Sequence, residues 1–542
     1  MGMGSTPIII LKEGTRRERG KDAQYNNINA ARTVADMVKS TLGPRGMDKM
    51  MLDALGDVTI TNDGVTILKD LEVQHPAAKM VVEVSKTLDE ECGDGTTSAV
   101  VILGELLKRS LDLLDADIHP TNILKGYRLA GDKALETLRS LSIPTGIDDA
   151  VSLRNIATTA MMSKAVTGSR EHMADLAVRS VSAVAEKRNS HYTVDLDNIQ
   201  IVKREGGSMD DTELLQGIII DGHPPHPSMP RKVKNARIAL LSSALEVRKT
   251  EVSAEIQITE PSQLQAFVRG EENTLREMVD QLKRAGATAV FCQKGIDELA
   301  QHFLAQEGML ALQRVKASDL EKLSKATNAD IVTKPADLEK GDLGSSSSIE
   351  VRKVESEEMT FVIGCKNPRA VSILIRGGTK HVVDEIDRSL DDALNVVRLA
   401  VEDEAMVSGG GSTAMELAMR LNDYADEMGG REQMAISAYA RSMEAIPAAL
   451  AENAGWDALN VLIEMRKAHK AGSVHAGLNV FTGKVEDMVK NNVLEPLRVN
   501  SRIISAATEA ASLIIRIDDV IAARSGSAAG PSMGGEGEMP EE

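Results

Sequence analysis

The sequence predicts a multi-domain protein of mixed class, mostly α-helical at the two chain ends and α/β in between. Three observations carry this reading. Apolar residues recur at helical spacing from Ile28 to Leu141 and again from Val383 onward. Between those stretches, short β-branched runs alternate with helical segments, as expected of a layered α/β unit. The chain has 542 residues, which at roughly 150 residues per domain allows three to four compact units. The simplest topology builds one helical domain from both termini and inserts the rest of the chain into it.

Taken in order, Ile28, Ala31, Val34, Val38 and Leu42 set a helix from Asn27 onward. It should stop at Gly43-Pro44-Arg45-Gly46, because proline lacks an N–H and restricts the residue before it. The runs 58–61 and 65–68 flank Asn62-Asp63-Gly64 and read as a hairpin with Asp63 at its tip. A helix over 96–115 starts directly after Gly93-Asp94-Gly95, and another fits 122–141. The cluster His223-Pro224-Pro225-His226-Pro227 reads as a hinge or an entry into a new unit. Beyond it, 236–241, 289–292 and 331–332 are strand-like, and an amphipathic helix starts near Pro261. Residues 344–348 read as a loop and 371–375 as a strand. A long helix follows, with Val383, Ile386, Leu390, Ala393, Leu394, Val397 and Val401 on one face, stopped by Gly409-Gly410-Gly411. Ala-rich helices should then run from Ser412 to about Ala523, and the Gly, Ser, Pro and acidic residues of 525–542 predict a disordered tail.

Composition excludes several classes. With 63 basic and 81 acidic side chains the formal charge is −18, so neither nucleic acid nor an anionic membrane is an expected partner. Aromatic residues are scarce and Met numbers 25, which predicts an aliphatic core with Met as filler. Stacking platforms for single-stranded nucleic acid are correspondingly few. Cys92, Cys292 and Cys365 are too scattered for a CxxC metal site or a disulfide scaffold. No basic cluster leads into an apolar core at the N-terminus, so the expectation is a cytoplasmic protein.

The strongest chemical signal is Gly93-Asp94-Gly95-Thr96-Thr97-Ser98 opening a helix. Glycines let backbone approach a ligand, and a helix start attracts anions. An Asp there would repel phosphate unless a cation bridged them, which makes Asp94 a candidate Mg²⁺ ligand. The same residues serve equally as an ordinary helix cap. No Walker A loop is present: Gly477 to Lys484 has the wrong spacing, with Val485 where Ser or Thr is needed. Alone, Leu42-Gly43-Pro44 reads as a helix stop, Asp63 as a turn residue and Lys164 as a surface charge. Asp392 falls off the apolar face of its helix and alone reads as a solvated side chain.

The ordered set says more. Thr41-Leu42-Gly43-Pro44-Arg45-Gly46-Met47-Asp48-Lys49-Met50, Asn62-Asp63-Gly64, Gly93-Asp94-Gly95-Thr96-Thr97, Arg376-Gly377-Gly378-Thr379 and Gly409-Gly410-Gly411 occur in that sequence. Together they resemble the group II chaperonins, most of all the archaeal branch, from about Ile8 to Ala523. The central Phe291-Cys292-Gln293-Lys294-Gly295-Ile296-Asp297 segment is similar as well.

The resemblance implies a chaperonin fold in three domains. A mostly α-helical equatorial ATP-binding domain would comprise 1–148 and 405–524. An α/β intermediate domain would comprise 149–218 and 368–404. An α/β apical substrate-binding domain would comprise 219–367, with a helical protrusion at about 245–285 that closes the cavity. It implies an ATP-dependent chaperone and ATPase in stacked rings, eight-membered in the family, built from copies or paralogues of the chain and acting on unfolded polypeptides.

It also implies roles for single residues. Leu42, Gly43 and Pro44 would contact ATP, and Gly95, Thr96, Thr97 and Ser98 would hold its phosphates. Asp94 would bind Mg²⁺, Gly410 would sit near the ribose, and Asn479 and Glu495 would lie at the base and sugar end. Asp63 and Asp392 resemble the carboxylates that orient water, and Lys164 the lysine that senses the γ-phosphate. Asp391 departs from the family pattern, standing where many relatives carry His and placing two acids side by side. An ATPase with a small-molecule client and a ring with vestigial nucleotide binding are the competing readings. The first lacks a second catalytic set, and the second predicts loss of Asp63, Asp94 and Asp392.

Overall fold

Helix α1 spans Lys21–Lys39 and buries Ile28, Ala31, Val34, Ala35 and Val38, the stripe that its sequence period predicts. In this computed structural model the described residues are 16–522, apart from 53–55, 57, 72, 164–167, 190, 248–260, 356 and 366–368. The tail 525–542, Lys164 and residues 248–260 of the expected protrusion lie outside them.

After α1 the strands Lys49–Leu52 and Val58–Thr61 pair antiparallel. The expected hairpin over 58–68 is not formed, because the residues after Gly64 coil into helix α2, Gly64–Asp70. Asp63 is its N-cap, accepting from the Thr66 N–H at 3.1 Å and the Thr66 hydroxyl at 2.7 Å. A single N-D-G triplet serves a turn or a cap equally well, and the capping bonds decide for the helix.

Helices α3 (Pro76–Cys92), α4 (Thr96–Asp115) and α5 (Pro120–Ser140) complete the first helical segment. Helix α4 is at its centre, packed on α1, α3 and residues 497–516 from the far end of the chain. The core is chiefly aliphatic, as the composition predicts, but Tyr127 and Tyr439 are fully buried in it. Their rings meet edge to face at 5.6 Å, and each hydroxyl is satisfied, by the Leu106 carbonyl at 2.8 Å and by Thr508 at 2.6 Å.

Helices α6 (Ala150–Ala160) and α7 (Arg170–Val184) lead to a three-stranded sheet. In it Ile199–Glu205 runs parallel to Val371–Gly377, which pairs on its other edge with Glu213–Leu215. The central α/β unit is one seven-stranded mixed sheet. Lys232–Leu241 is parallel to Ala289–Cys292 and Ile331–Val332 and antiparallel to Gly344–Val354. The Pro-rich loop after Asp221 is internal to this unit, since Gly217–Asp221 before it already pairs with Glu357–Ile363. Residues 344–348 form strand, not loop. A run of Gly and Ser carries no strand propensity, but pairing with residues 234–238 overrides it and buries Gly344 and Ser346.

Helix α8, Pro261–Ala285, buries Leu275, Val279 and Leu282, while Val268 is exposed. Helices α9 (Glu298–Gln306) and α10 (Ala317–Thr327) flank the sheet.

The chain returns through α11, Lys380–Asp403, whose predicted apolar face is buried throughout. Glu404 in the left-handed conformation ends it, and the strand Ala405–Ser408 intervenes before the three glycines that were expected to stop it. Helices α12 (Ser412–Met428), α13 (Gly430–Met443), α14 (Ala445–Asn453) and α15 (Ala458–Lys470) follow. Among these helical segments stands a hairpin, Ala476–Asn479 with Lys484–Asp487, before α16, Leu497–Arg516. Finally Asp519–Ala522 pairs with Arg16–Arg19, so the two chain ends close one body. Among the described residues no helix is long and apolar enough to cross a membrane.

Candidate functional site

The whole connection between α3 and α4 is Gly93-Asp94-Gly95. Gly93 has φ 70° and Gly95 φ 82°, a region in which side chains other than glycine are strained. A Cβ on Gly95 would also come within 2.7 Å of Ile503 Cδ1. Asp94 Oδ1 accepts the Gly95 N–H at 2.6 Å. Among the described residues no side chain caps α4, so the first N–H groups, at Thr96, Thr97 and Ser98, are left at the wall of a cavity of about 280 Å³. Helix α12 likewise starts beside the cavity at Gly411 without a side-chain cap. Two helix starts, each with partial positive charge, thus meet one space.

The other walls come from distant segments. The turn Leu42-Gly43-Pro44 follows α1 and is held by Asn453, whose amide donates to the Leu42 carbonyl at 2.9 Å. Asp63 arrives at the start of α2, which touches α4 so closely that a Cβ on Gly64 would lie 2.3 Å from Thr97 Oγ1. Asp392 projects from α11, Gly410 precedes α12, and Asn479 and Glu495 close the far end. The structure therefore gathers Leu42, Gly43, Pro44, Asp63, Asp94, Gly95, Thr96, Thr97, Ser98, Asp392, Gly410, Asn479 and Glu495 around one cavity. Lys164 lies outside the described residues, and Ser163 just before it lines the cavity.

Asn479 is also a local builder. Its Oδ1 accepts from the Phe481 and Thr482 N–H groups at 3.1 and 3.3 Å, and its amide donates to Glu486 at 2.9 Å. These bonds shape the hairpin turn. Burial pushes the Glu495 carboxyl up to about 7, opposed by the Asn500 amide at 2.8 Å and reinforced by the charge of Asp94.

Several lining residues carry no signal that the sequence reading used. Ile446, Leu450, Leu478, Val480, Phe481 and Met488 give the far end an apolar wall. The turn Thr482-Gly483 between Val480 and Val485 was a readable hairpin cue. Asn62 and Thr159 also line the cavity, and Asn62 stands in the N-D-G triplet itself. Among the described residues there is no cluster of three or more His, Cys, Asp or Glu that would hold a metal. Mg²⁺ held through one carboxylate and phosphate oxygens needs none, and Asp94 beside two helix starts suits that arrangement.

A helical body closed from both chain ends, an inserted α/β unit and one cavity walled by two helix starts and several acids describe a multi-domain protein with a built ligand site. A model of the TCP-1/cpn60 chaperonin family matches residues 34–525. Thermosome subunit alpha of Archaeoglobus fulgidus is 55% identical over 519 residues, 96% of this chain and 95% of the relative. The thermosome subunit of Methanopyrus kandleri is 53% identical over 517 residues, 95% of each chain. Among solved structures, the open-state monomer of a group II chaperonin from Methanococcoides burtonii matches with TM-score 0.58 and 42% identity, covering 78% of this chain and 100% of that one. The chain belongs to the TCP-1/cpn60 chaperonin family, in its group II branch, the class of ATP-dependent ring-forming chaperones. Its fold class is accordingly the multi-domain chaperonin one.

Proposed function

We propose that this cavity binds and hydrolyses Mg-ATP, and that the hydrolysis drives enclosure of unfolded polypeptides in a ring of copies or paralogues of this chain. One observation carries the reading: the starts of α4 and α12 and the acids Asp63, Asp94 and Asp392 come from widely separated segments and meet at one cavity. The N–H groups of Thr96, Thr97 and Ser98 would take phosphate oxygens, and the apolar wall with Asn479 and Glu495 would take the base and sugar. Asp94 would hold Mg²⁺, which when bound would neutralise charge on the phosphates. Asp63 and Asp392 would orient water toward the terminal phosphate, and Lys164 would sense that phosphate.

In this reading 1–148 and 405–524 form the equatorial domain, 149–218 and 368–404 the intermediate domain, and 219–367 the apical domain that binds clients. Residues at about 245–285 form the lid. The rings are eight-membered and stacked, the protein is cytoplasmic, and it binds neither nucleic acid nor membrane.

The test is nucleotide binding and turnover by the purified full chain, with negative-stain images taken with and without ATP analogue. Stacked rings that close with Mg-nucleotide are expected. Protein that neither binds Mg-ATP nor changes shape with it rules the reading out.

A further inference from the structure

Helix α11 carries Asp392 to the cavity, and the roll of that helix about its axis decides where the carboxylate points. Asp392, Asn395 and Arg398 lie at steps of three residues, so each is turned by about 60° from the next. Both later residues lie against the α3–α4 connection. Arg398 Nη2 donates to the Glu91 carbonyl in the last turn of α3 at 3.0 Å, and to Asn395 Oδ1 at 3.1 Å. Asn395 packs so tightly on the turn that a Cβ on Gly93 would come within 2.6 Å of it. The Asn395 amide donates back to the Asp391 carbonyl at 3.0 Å, which fixes its orientation.

The placement also suits a charge. A cation at the end of a helix meets its partial negative pole. The Arg398 Nε is buried with no hydrogen-bond partner among the described residues, which is costly. An apolar side chain would fill a site needed only for packing at less cost. The end of the same helix is held independently: Arg498 on α16 donates to Asp403 and, at 3.0 Å, to Glu402. With that end pinned and the apolar face of α11 packed on the core, the Arg398 contact fixes the flank of the helix that carries Asp392 against α3.

We propose that Arg398 is a positioning residue for ATP hydrolysis, docking α11 on the carbonyl end of α3 so that Asp392 faces the nucleotide beside the Asp94 turn. This rests on the reading of the cavity as an ATPase site. It separates turnover from binding, because the N–H groups that grip phosphate belong to α4 and α12.

The test compares assembled wild type with Arg398→Ala and Arg398→Lys, measuring steady-state ATPase and fluorescent-nucleotide affinity. Turnover of Arg398→Ala should fall about 10- to 100-fold with Kd within about 2-fold, as for a displaced catalytic group. Arg398→Lys should recover part of that loss, since it restores a cation beside the carbonyl end of α3. If Arg398→Ala fails to assemble, Arg398→Met, which keeps the apolar stem, is measured in its place. Turnover near wild type, a Kd that weakens in step with turnover, or Lys performing no better than Ala overturns the proposal. Wild type without ATP turnover would instead remove the ATPase reading itself, so the two failures are distinct.

Discussion

Asn62 gives its side-chain amide to the backbone carbonyl of Ser163, joining the start of α2 to a segment 101 residues further along the chain. Asp63, the next residue, thereby shares a wall with the loop that leads into Lys164. Both segments line the cavity, so anything that moves the 161–163 turn also bears on the acid at the head of α2.

Asp392→Ala should leave nucleotide binding intact and lower turnover by at least about 100-fold, the scale of losing a group that orients a reactant. The N–H groups proposed to take phosphate lie on other helices, so affinity has no reason to fall with it. Titration with a fluorescent ATP analogue beside a phosphate-release assay decides the matter. Wild-type turnover would remove Asp392 from the catalytic role.

The helix cap made by Asp63 and its proposed role in orienting water can be separated by substitution. Asparagine keeps an oxygen for the Thr66 N–H, so Asp63→Asn should hardly alter stability. Asp63→Ala should cost about 1 kcal/mol through the lost cap. Both should hydrolyse ATP poorly. Urea titrations with ATPase assays on both variants check this, and an active Asp63→Asn would leave Asp63 only as a cap.

Asp94→Asn retains an acceptor for the Gly95 N–H but loses the charge. We expect the protein to stay folded while the magnesium concentration needed for half-maximal ATPase rises about tenfold, the scale of one lost charged interaction. An unchanged magnesium dependence would take the metal away from this residue.

Glu495 predicts a pH effect of definite sign. Its folded pKa, about 7, lies above the ordinary value of 4.5. Below both values the carboxyl is protonated whether or not the chain is folded, and it costs nothing. As pH rises from 4.5 toward 7, the unfolded chain gives up the proton and the folded one keeps it, so stability falls and then levels off. Glu495→Gln keeps an acceptor for Asn500 and cannot titrate. The melting temperature of the variant should therefore pull ahead of wild type across that interval. A difference that is flat with pH would show that burial of Glu495 does not perturb it.

Periodic features were legible in the sequence, and features set by partners were not. The faces of α1 and α11 follow from apolar spacing, and α4 begins where Gly95 ends the turn. The strand over 344–348 was hidden because Gly and Ser take their conformation there from a neighbouring strand. The Asp63 cap was hidden because N-D-G suits two local structures, and only the bonds to Thr66 choose. Asp63, Asp94, Thr96 and Thr97 could be named from ordered motifs, whereas Asp392, Asn479 and Glu495 could be named only through the family resemblance. The apolar wall of the candidate site could not, because Ile446 and Leu450 on α14 and Val480 in the hairpin turn look like any core residues until the fold brings them to the cavity. Arg398 was missed because its partner is a backbone carbonyl, and carbonyls leave no trace in sequence.

Because Arg16–Arg19 pairs with Asp519–Ala522 and the cavity draws on residues from Thr41 to Ile503, a chain emerging from the ribosome cannot complete that cavity until almost all of it has been made. The seven-stranded sheet, by contrast, is drawn wholly from residues 217–363 and is free to form during synthesis. A newborn subunit would thus own its sheet before its cavity. Truncation late in translation would leave a folded sheet without a completed cavity.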